Sequence, residues 1–297
     1  MGDRFELGRV GIWTGVLDAV PSAQAKDIAA GLEAMGFPTL WIPETVGRDP
    51  FVSAALLLGA TSALRVATGI ANIYARDAVT MANTQRTLEE AFPGRFLLGL
   101  GVSHHHLVDR VRHHAYDKPY SRMVEYLEAM DHAIFRAVGP SARPATVLAA
   151  LGPKMLRLAG ENADGAHPYF VPVEHTAQAR EILGPDKDLC VEMAAVISDD
   201  EGVFQARAQW HLEIYTGLPN YRNNWFRLGF TEDDTPRGGS DRLKRALVAQ
   251  GEDGIRQKAL DHFEAGASHV CVQVLGEHPA DTPISDWRRL APVLTGL

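Results

Sequence analysis

Ser103 and His104 close the apolar run Phe96-Leu97-Leu98-Gly99-Leu100-Gly101-Val102, and two more histidines, His105 and His106, follow directly. An apolar run this short, opened by Gly94, fits a strand covered on both faces, as in a parallel sheet. Sheets and barrels of that kind collect their chemistry at the carboxyl ends of their strands. A hydroxyl and an imidazole there are placed to act, and the glycines let a ligand approach the backbone. Histidine is the usual general acid or base near neutral pH, which makes His104 a catalytic candidate. His105 and His106 read as solvated or helix-start residues. Glu44 ends a second apolar run, Leu40-Trp41-Ile42-Pro43. It is either a buried acid or acceptor or an ordinary loop carboxylate. In Leu151-Gly152-Pro153-Lys154-Met155 a strand runs through glycine into a helix with proline in its first turn. That leaves free N–H groups and a positive dipole end for an anion, with Lys154 nearby; the plain alternative is a strand–helix turn.

Three consecutive histidines also suggest a metal site. Adjacent side chains point different ways, however, and Asp109, His113 and His114 fall at no recognised ligand spacing, so no metal is assigned. Gly99-Leu100-Gly101 lacks the third glycine of a dinucleotide loop, and His104 stands in its place. No serine nucleophile elbow, Cys–His spacing or P-loop is present. Cys190 and Cys271 lie in apolar runs and read as buried reduced thiols.

Strand-like and helix-like segments alternate along the whole chain. Strands are expected at residues 10–13, 39–43, 65–70, 96–103, 146–151, 165–170, 189–197 and 268–274. Helices are expected at 23–35, 50–62, 79–91, 120–138, 153–161, 174–183, 200–215 and 285–294. About eight strand–helix units predict an α/β fold, a (β/α)₈ TIM barrel with insertion segments, rather than an open sheet. A chain of 297 residues fits one such domain, residues 1–297. A polar insert at about 217–251, with Trp225, Phe226 and Phe230 embedded in it, is expected to cover the active site. The net charge of -8 argues against nucleic acid and for a soluble enzyme with a small-molecule substrate. No apolar run approaches the roughly 20 residues of a membrane span, and the first residues have no apolar signal core. The expected location is cytoplasmic.

Taken in order, these strand ends resemble the bacterial luciferase-like superfamily, in particular its branch that uses the deazaflavin coenzyme F-420. The residues that carry the likeness are Leu40-Trp41-Ile42-Pro43-Glu44, Ala67-Thr68-Gly69-Ile70-Ala71-Asn72, the segment from Gly94 to His104, and Ala163-Asp164-Gly165. Tyr116-Asp117-Lys118-Pro119 and Arg122-Met123-Val124-Glu125-Tyr126-Leu127 add to it. The resemblance implies an oxidoreductase, usually a homodimer, that moves a hydride between the cofactor and an organic substrate. It implies a bulge after the third strand with a non-prolyl cis peptide at Gly69-Ile70, supporting the ring. Trp13 would pack near the ring, Asn72 would face it, and Ser103 would contact cofactor or substrate. Gly152, Pro153, Lys154 and Met155 match the phosphate turn, and Glu44 and His104 would handle the proton. His104 replaces a glutamate found in the sugar-phosphate dehydrogenases of this branch, and Thr45 replaces their histidine, so that substrate is not expected. The alternatives are an FMN monooxygenase working with a reductase, from another class a metal-dependent barrel hydrolase, and a cofactor-carrying or binding protein without turnover.

Overall fold

The computed structural model describes residues 5–297. Residues 1–4, part of the N-terminal segment read above for a signal core, lie outside the described residues. Among the described residues there are ten strands: β1 (Val10–Trp13), β2 (Thr39–Ile42), β3 (Arg65–Thr68), β4 (Ala71–Asn72), β5 (Phe96–Gly101), β6 (Thr146–Leu148), β7 (Gly165–Ala166), β8 (Asp188–Val196), β9 (Val248–Gln250) and β10 (His269–Val274). The helices are α1 (Ser22–Ala34), α2 (Pro50–Leu58), α3 (Ala78–Ala91), α4 (Pro119–Asp131), α5 (Pro153–Asn162), α6 (Val173–Leu183), α7 (Glu201–Tyr215), α8 (Pro219–Arg227), α9 (Asp241–Leu247), α10 (Gly251–Glu264) and α11 (Ile284–Leu294).

All the pairings are parallel. The order runs β10-β1-β2-β3-β5-β6-β7-β8, and β10 pairs β8 to close the ring. This is an eight-stranded α/β barrel with its helices outside, as the alternating pattern predicts. β4 continues the line of β3 past a bulge and pairs with β5. Helix starts are set locally: Asp49 accepts the N–H groups of Phe51 and Val52 ahead of Pro50, and Asp77 and Asp200 cap α3 and α7 in the same way,.

The expected helix at 120–138 stops at Asp131. Ile134 and Val138 beyond it are exposed, so nothing buries a further helical face there. The insert is less loop-like than its composition suggests. Pro219 opens α8, Thr231 and Asp234 form a reciprocal cap on a 3-10 turn, and Ser240 caps α9,. It ends in β9, which pairs with the upper end of β8.

Three groups of buried residues follow from this arrangement. The largest lies between strands and helices. A second joins Tyr221, Trp225 and Phe230 of the insert to Phe170, Phe204 and Leu212. The third fills the barrel with Trp13, Trp41, Ala67, Leu97, Val147, Cys190 and Cys271. The β5 glycines serve the barrel itself. A Cβ at Gly99 would collide with the Thr68 carbonyl oxygen, and one at Gly101 with the end of Ile70. The room they leave is filled by the neighbouring strand. Gly99→Ala is therefore expected to lose roughly 1–3 kcal/mol by overpacking, toward the upper end because a backbone atom stands in the way. Chemical denaturation with an unchanged m-value would check it.

Candidate active site at the barrel mouth

The site begins at the bulge between β3 and β4, where the Gly69–Ile70 peptide bond is cis. The Gly69 N–H donates to the Ile42 carbonyl at 2.8 Å, and the Glu44 N–H reaches the Ile70 carbonyl at 3.3 Å. Any side chain at Gly69 would strike the Trp13 indole nitrogen. Trp13, at the end of β1, is 7% exposed, and its Nε1–H is buried with no acceptor.

Glu44 follows β2 after Pro43, and its side chain is 6% exposed. Arg76 grips both oxygens, Nη1 to Oε2 at 2.9 Å and Nη2 to Oε1 at 2.8 Å. The Asn72 N–H donates to Oε2 at 2.7 Å, and Arg112 reaches Oε1 at 3.3 Å. This carboxylate ties β2 to the chain beyond the bulge. Asn72 is buried, and its Oδ1 accepts the Tyr74 N–H at 2.9 Å. Its side-chain oxygen is thereby turned toward its own loop. Breaking a buried pair of this kind typically costs about 3–5 kcal/mol. Arg76→Met is expected near the low end, since Arg112 remains, and restoring charge balance with Glu44→Gln in the same chain should recover part of it. A double-mutant cycle from urea unfolding measures the coupling.

Ser103 and His104 emerge from β5 as expected. Ser103 adopts a left-handed conformation, φ 57°, and its carbonyl accepts the Tyr116 hydroxyl at 3.3 Å. The turn swings His104 toward the insert. The His104 ring lies 6.0 Å from the Tyr221 ring, and Asn220 bonds its side chain. Burial, with His106 nearby, lowers its pKa to about 4, so it is neutral at pH 7,. His105 and His106 are exposed. His106 stacks on His104 at 6.0 Å and 10° rather than converging with it on one point, and among the described residues no group of three or more His, Cys, Asp or Glu could hold a metal ion.

The phosphate-turn residues open α5. Gly152 is its N-cap without a side-chain cap, and Pro153 occupies the first turn. The N–H groups of Lys154 and Met155 are thus free of helical partners. Pro153 and Lys154 are exposed, and Gly152 and Met155 half-buried. The insert adds a cation, since Arg227 Nη2 lies 3.7 Å from where a Gly152 Cβ would stand. Underneath, His175 Nε2 donates to the Leu151 carbonyl at 2.9 Å and fixes the end of the β6 segment.

Several polar groups at this end escaped the sequence reading. The Tyr215 hydroxyl and the Tyr169 hydroxyl are 2.8 Å apart, and Tyr169 donates to Gln273 Oε1 at 2.6 Å. A phenol has one hydrogen, so Tyr215 must donate to Tyr169. Lower in the barrel, Trp41 stacks on His167 at 4.3 Å and donates to His269 Nε2 at 3.0 Å. His269 Nδ1 donates to the Gly8 carbonyl and His167 Nδ1 to the Cys190 carbonyl. Burial lowers both histidines to about 4 and holds them neutral. Glu192 is fully buried on β8. A lone glutamate inside the nine-residue run of β8 was the available signal, because acids are seldom fully buried without purpose.

The sequence profile of the family described as luciferase-like monooxygenase matches residues 9–268. A Mycobacterium tuberculosis protein named as a coenzyme F-420-dependent oxidoreductase is 25% identical over 272 residues, covering 75% of this chain and 78% of that one. Among solved structures, an F-420-dependent secondary alcohol dehydrogenase bound to an F-420–acetone adduct superposes with a TM-score of 0.75 at 15% identity, covering 97% of this chain and 99% of the other. The oxygenating constituent of a Pseudomonas putida diketocamphane monooxygenase, bound to FMN, gives a TM-score of 0.69 at 14% identity, covering 97% and 96%. Those two likenesses establish the shared barrel. With the profile spanning all but the ends, the chain belongs to the luciferase-like monooxygenase family.

Proposed function

We propose that this chain is a coenzyme F-420-dependent oxidoreductase acting on a small organic substrate, with His104 as its proton-handling residue. The observation that carries the reading is a neutral, half-buried imidazole at the end of β5, facing the aromatic wall of the insert. The mouth fits a flat ring with an anionic tail. Trp13 offers an unpartnered indole N–H beside the Gly69–Ile70 bulge. The uncapped start of α5, with Lys154 and Arg227, suits a phosphate,. When bound, the deazaflavin supplies hydride transfer without activating oxygen.

The protein's part is orientation and the proton. His104, being neutral, accepts a proton from a substrate O–H or N–H as the neighbouring carbon gives up its hydride. Asn220 holds the imidazole, and Tyr221 limits water on one side. Glu44 was the second proton candidate, but its oxygens are taken up by Arg76, Arg112 and the Asn72 N–H. Its role is to fix the strand that follows the bulge. Asn72 and Ser103 then act through their backbone placement. Residues 217–251 close the mouth over the substrate, and the working unit is a homodimer.

FMN in the same pocket is the second reading, favoured by the diketocamphane enzyme's bound cofactor. Titrating the purified protein with F-420 and with FMN distinguishes them. Tight F-420 binding and hydride exchange are expected. FMN that copurifies and supports oxygen consumption with a reductase would overturn the F-420 assignment.

A further inference from the structure

Glu192 lies among nine buried residues of β8 and is itself fully buried. It is two residues from Cys190, which packs inside the barrel, so its side chain shares that inward face,. Oε2 accepts the Phe170 N–H at 2.8 Å, while Oε1 has no partner. Among the described residues no cationic side chain bonds it. The titratable groups that face it are Tyr169 after β7, Tyr215 on α7, Tyr221 on α8 and Cys271 on β10, all weak acids pushed further up by burial. A carboxylate so placed keeps its proton, and burial pushes its pKa up to about 8. Because the Phe170 N–H needs an acceptor, the proton belongs on Oε1.

The same residue grips an unusual corner. Phe170 has φ 56°, a left-handed conformation rare for a bulky side chain, which persists only where its surroundings enforce it,. The Glu192 N–H donates to the Pro168 carbonyl at 3.0 Å, and its side chain takes the Phe170 N–H. Between them sits Tyr169, whose ring lies 5.0 Å from Trp13 and whose hydroxyl joins Tyr215 to Gln273.

We propose that Glu192 is a positioning residue: as a neutral carboxylic acid it holds the corner at residues 168–170, and through it sets the Tyr169–Tyr215–Tyr221 wall against which a ligand at the barrel mouth binds. This rests on the reading that the mouth is the ligand site. Ionising Glu192 leaves a buried charge without a partner, so the corner must open and the wall shift.

The experiment titrates wild type, Glu192→Gln, Glu192→Leu and His104→Ala with F-420 and with FMN between about pH 6 and pH 9.5, alongside infrared spectra of the ligand-free proteins. Glutamine can accept the Phe170 N–H and donate from the Oε1 position, but it cannot ionise. Wild-type Kd is expected to rise about tenfold per pH unit above about 8, the slope of one coupled proton. Glu192→Gln should bind as wild type does at pH 7 and stay flat, Glu192→Leu should bind weakly throughout, and His104→Ala should keep the wild-type profile. The ligand-free wild type should show a protonated-carboxyl stretch that fades above pH 8 and is missing in Glu192→Gln. An unchanged alkaline limb in Glu192→Gln, or the absence of that stretch, would overturn the proposal. If neither cofactor binds any variant while the stretch is present, the mouth is not their site: the functional reading falls, and with it the ligand wall assigned to Glu192, leaving only its protonation state.

Discussion

Replacing His104 with alanine is expected to lower kcat by about 10²–10⁴-fold, the usual contribution of a positioned acid or base, while F-420 affinity changes little. Its side chain meets Asn220, His106 and the Tyr221 ring, none of them part of the bulge or the α5 anion site, so its removal should leave both intact. The pH profile makes the expectation sharper. An ordinary histidine base would lose activity below about pH 6.5. Burial lowers His104 to about 4, so it remains an unprotonated base down to that pH. kcat/KM should therefore show no His104 limb near pH 6.5 and stay level down to the pH at which the fold gives way,. A limb near pH 6.5 present in both proteins would assign the proton to another group. Absorbance of the cofactor in stopped flow, at fixed saturation, separates this chemical step from binding.

Survival of the fold at low pH is itself limited, and this is the second large effect. His104, His167, His175, His211, His262 and His269 are all lowered to about 3–4 by burial. The unfolded chain protonates each of them near 6.5, well before the folded protein does. A lowered histidine contributes stability that is present above its unfolded value and lost as pH falls toward its folded one. Each costs about 1.4 kcal/mol per pH unit across that window. Net stabilities are typically about 5–15 kcal/mol, so six such groups should unfold the protein between about pH 6 and pH 4. Glu192 acts with the opposite sign, since a raised carboxyl favours the fold at low pH, as do Glu89 and Asp286, but these three are outnumbered by the six histidines. His211 offers the cleanest check. Its Nε2 has no partner, and its ring meets Phe170 edge-on at 4.8 Å. His211→Phe should move the acid unfolding midpoint, followed by circular dichroism, to lower pH. No shift would mean that His211 takes no part in acid unfolding.

The barrel was legible because its strands are buried on both sides. Residues 10–13 and 39–43 read as strands, and the structure has strands at Val10–Trp13 and Thr39–Ile42. The mouth was only partly legible. Glu44 and His104 stand out as polar residues that end apolar runs, and both lie at the carboxyl ends of their strands. What Glu44 does depends on Arg76, 32 positions away, and no local pattern encodes that pairing. In the sequence alone the β5 glycines suggest room for a ligand. Their clearance is filled by Thr68 and Ile70, a fact of strand adjacency rather than of composition. Pro219 and Ser240 look like loop residues in a polar stretch, yet both begin helices. Glu192 was hidden for the opposite reason, as one acid in a run that otherwise reads as core.

The way the insert is rooted constrains protein engineering. Its helix α8 contributes Tyr221 and Trp225 to a core built with Phe170, Phe204 and Leu212, and its last residues are hydrogen-bonded to β8. Specificity in a family sharing one barrel invites loop grafting, with a donor's covering segment spliced between fixed junctions. Here a transplant cut at residues 217 and 251 would sever half of a packed cluster. The exchangeable module is larger and discontinuous: the covering segment, the inner face of α7 and the corner at 168–170, moved together.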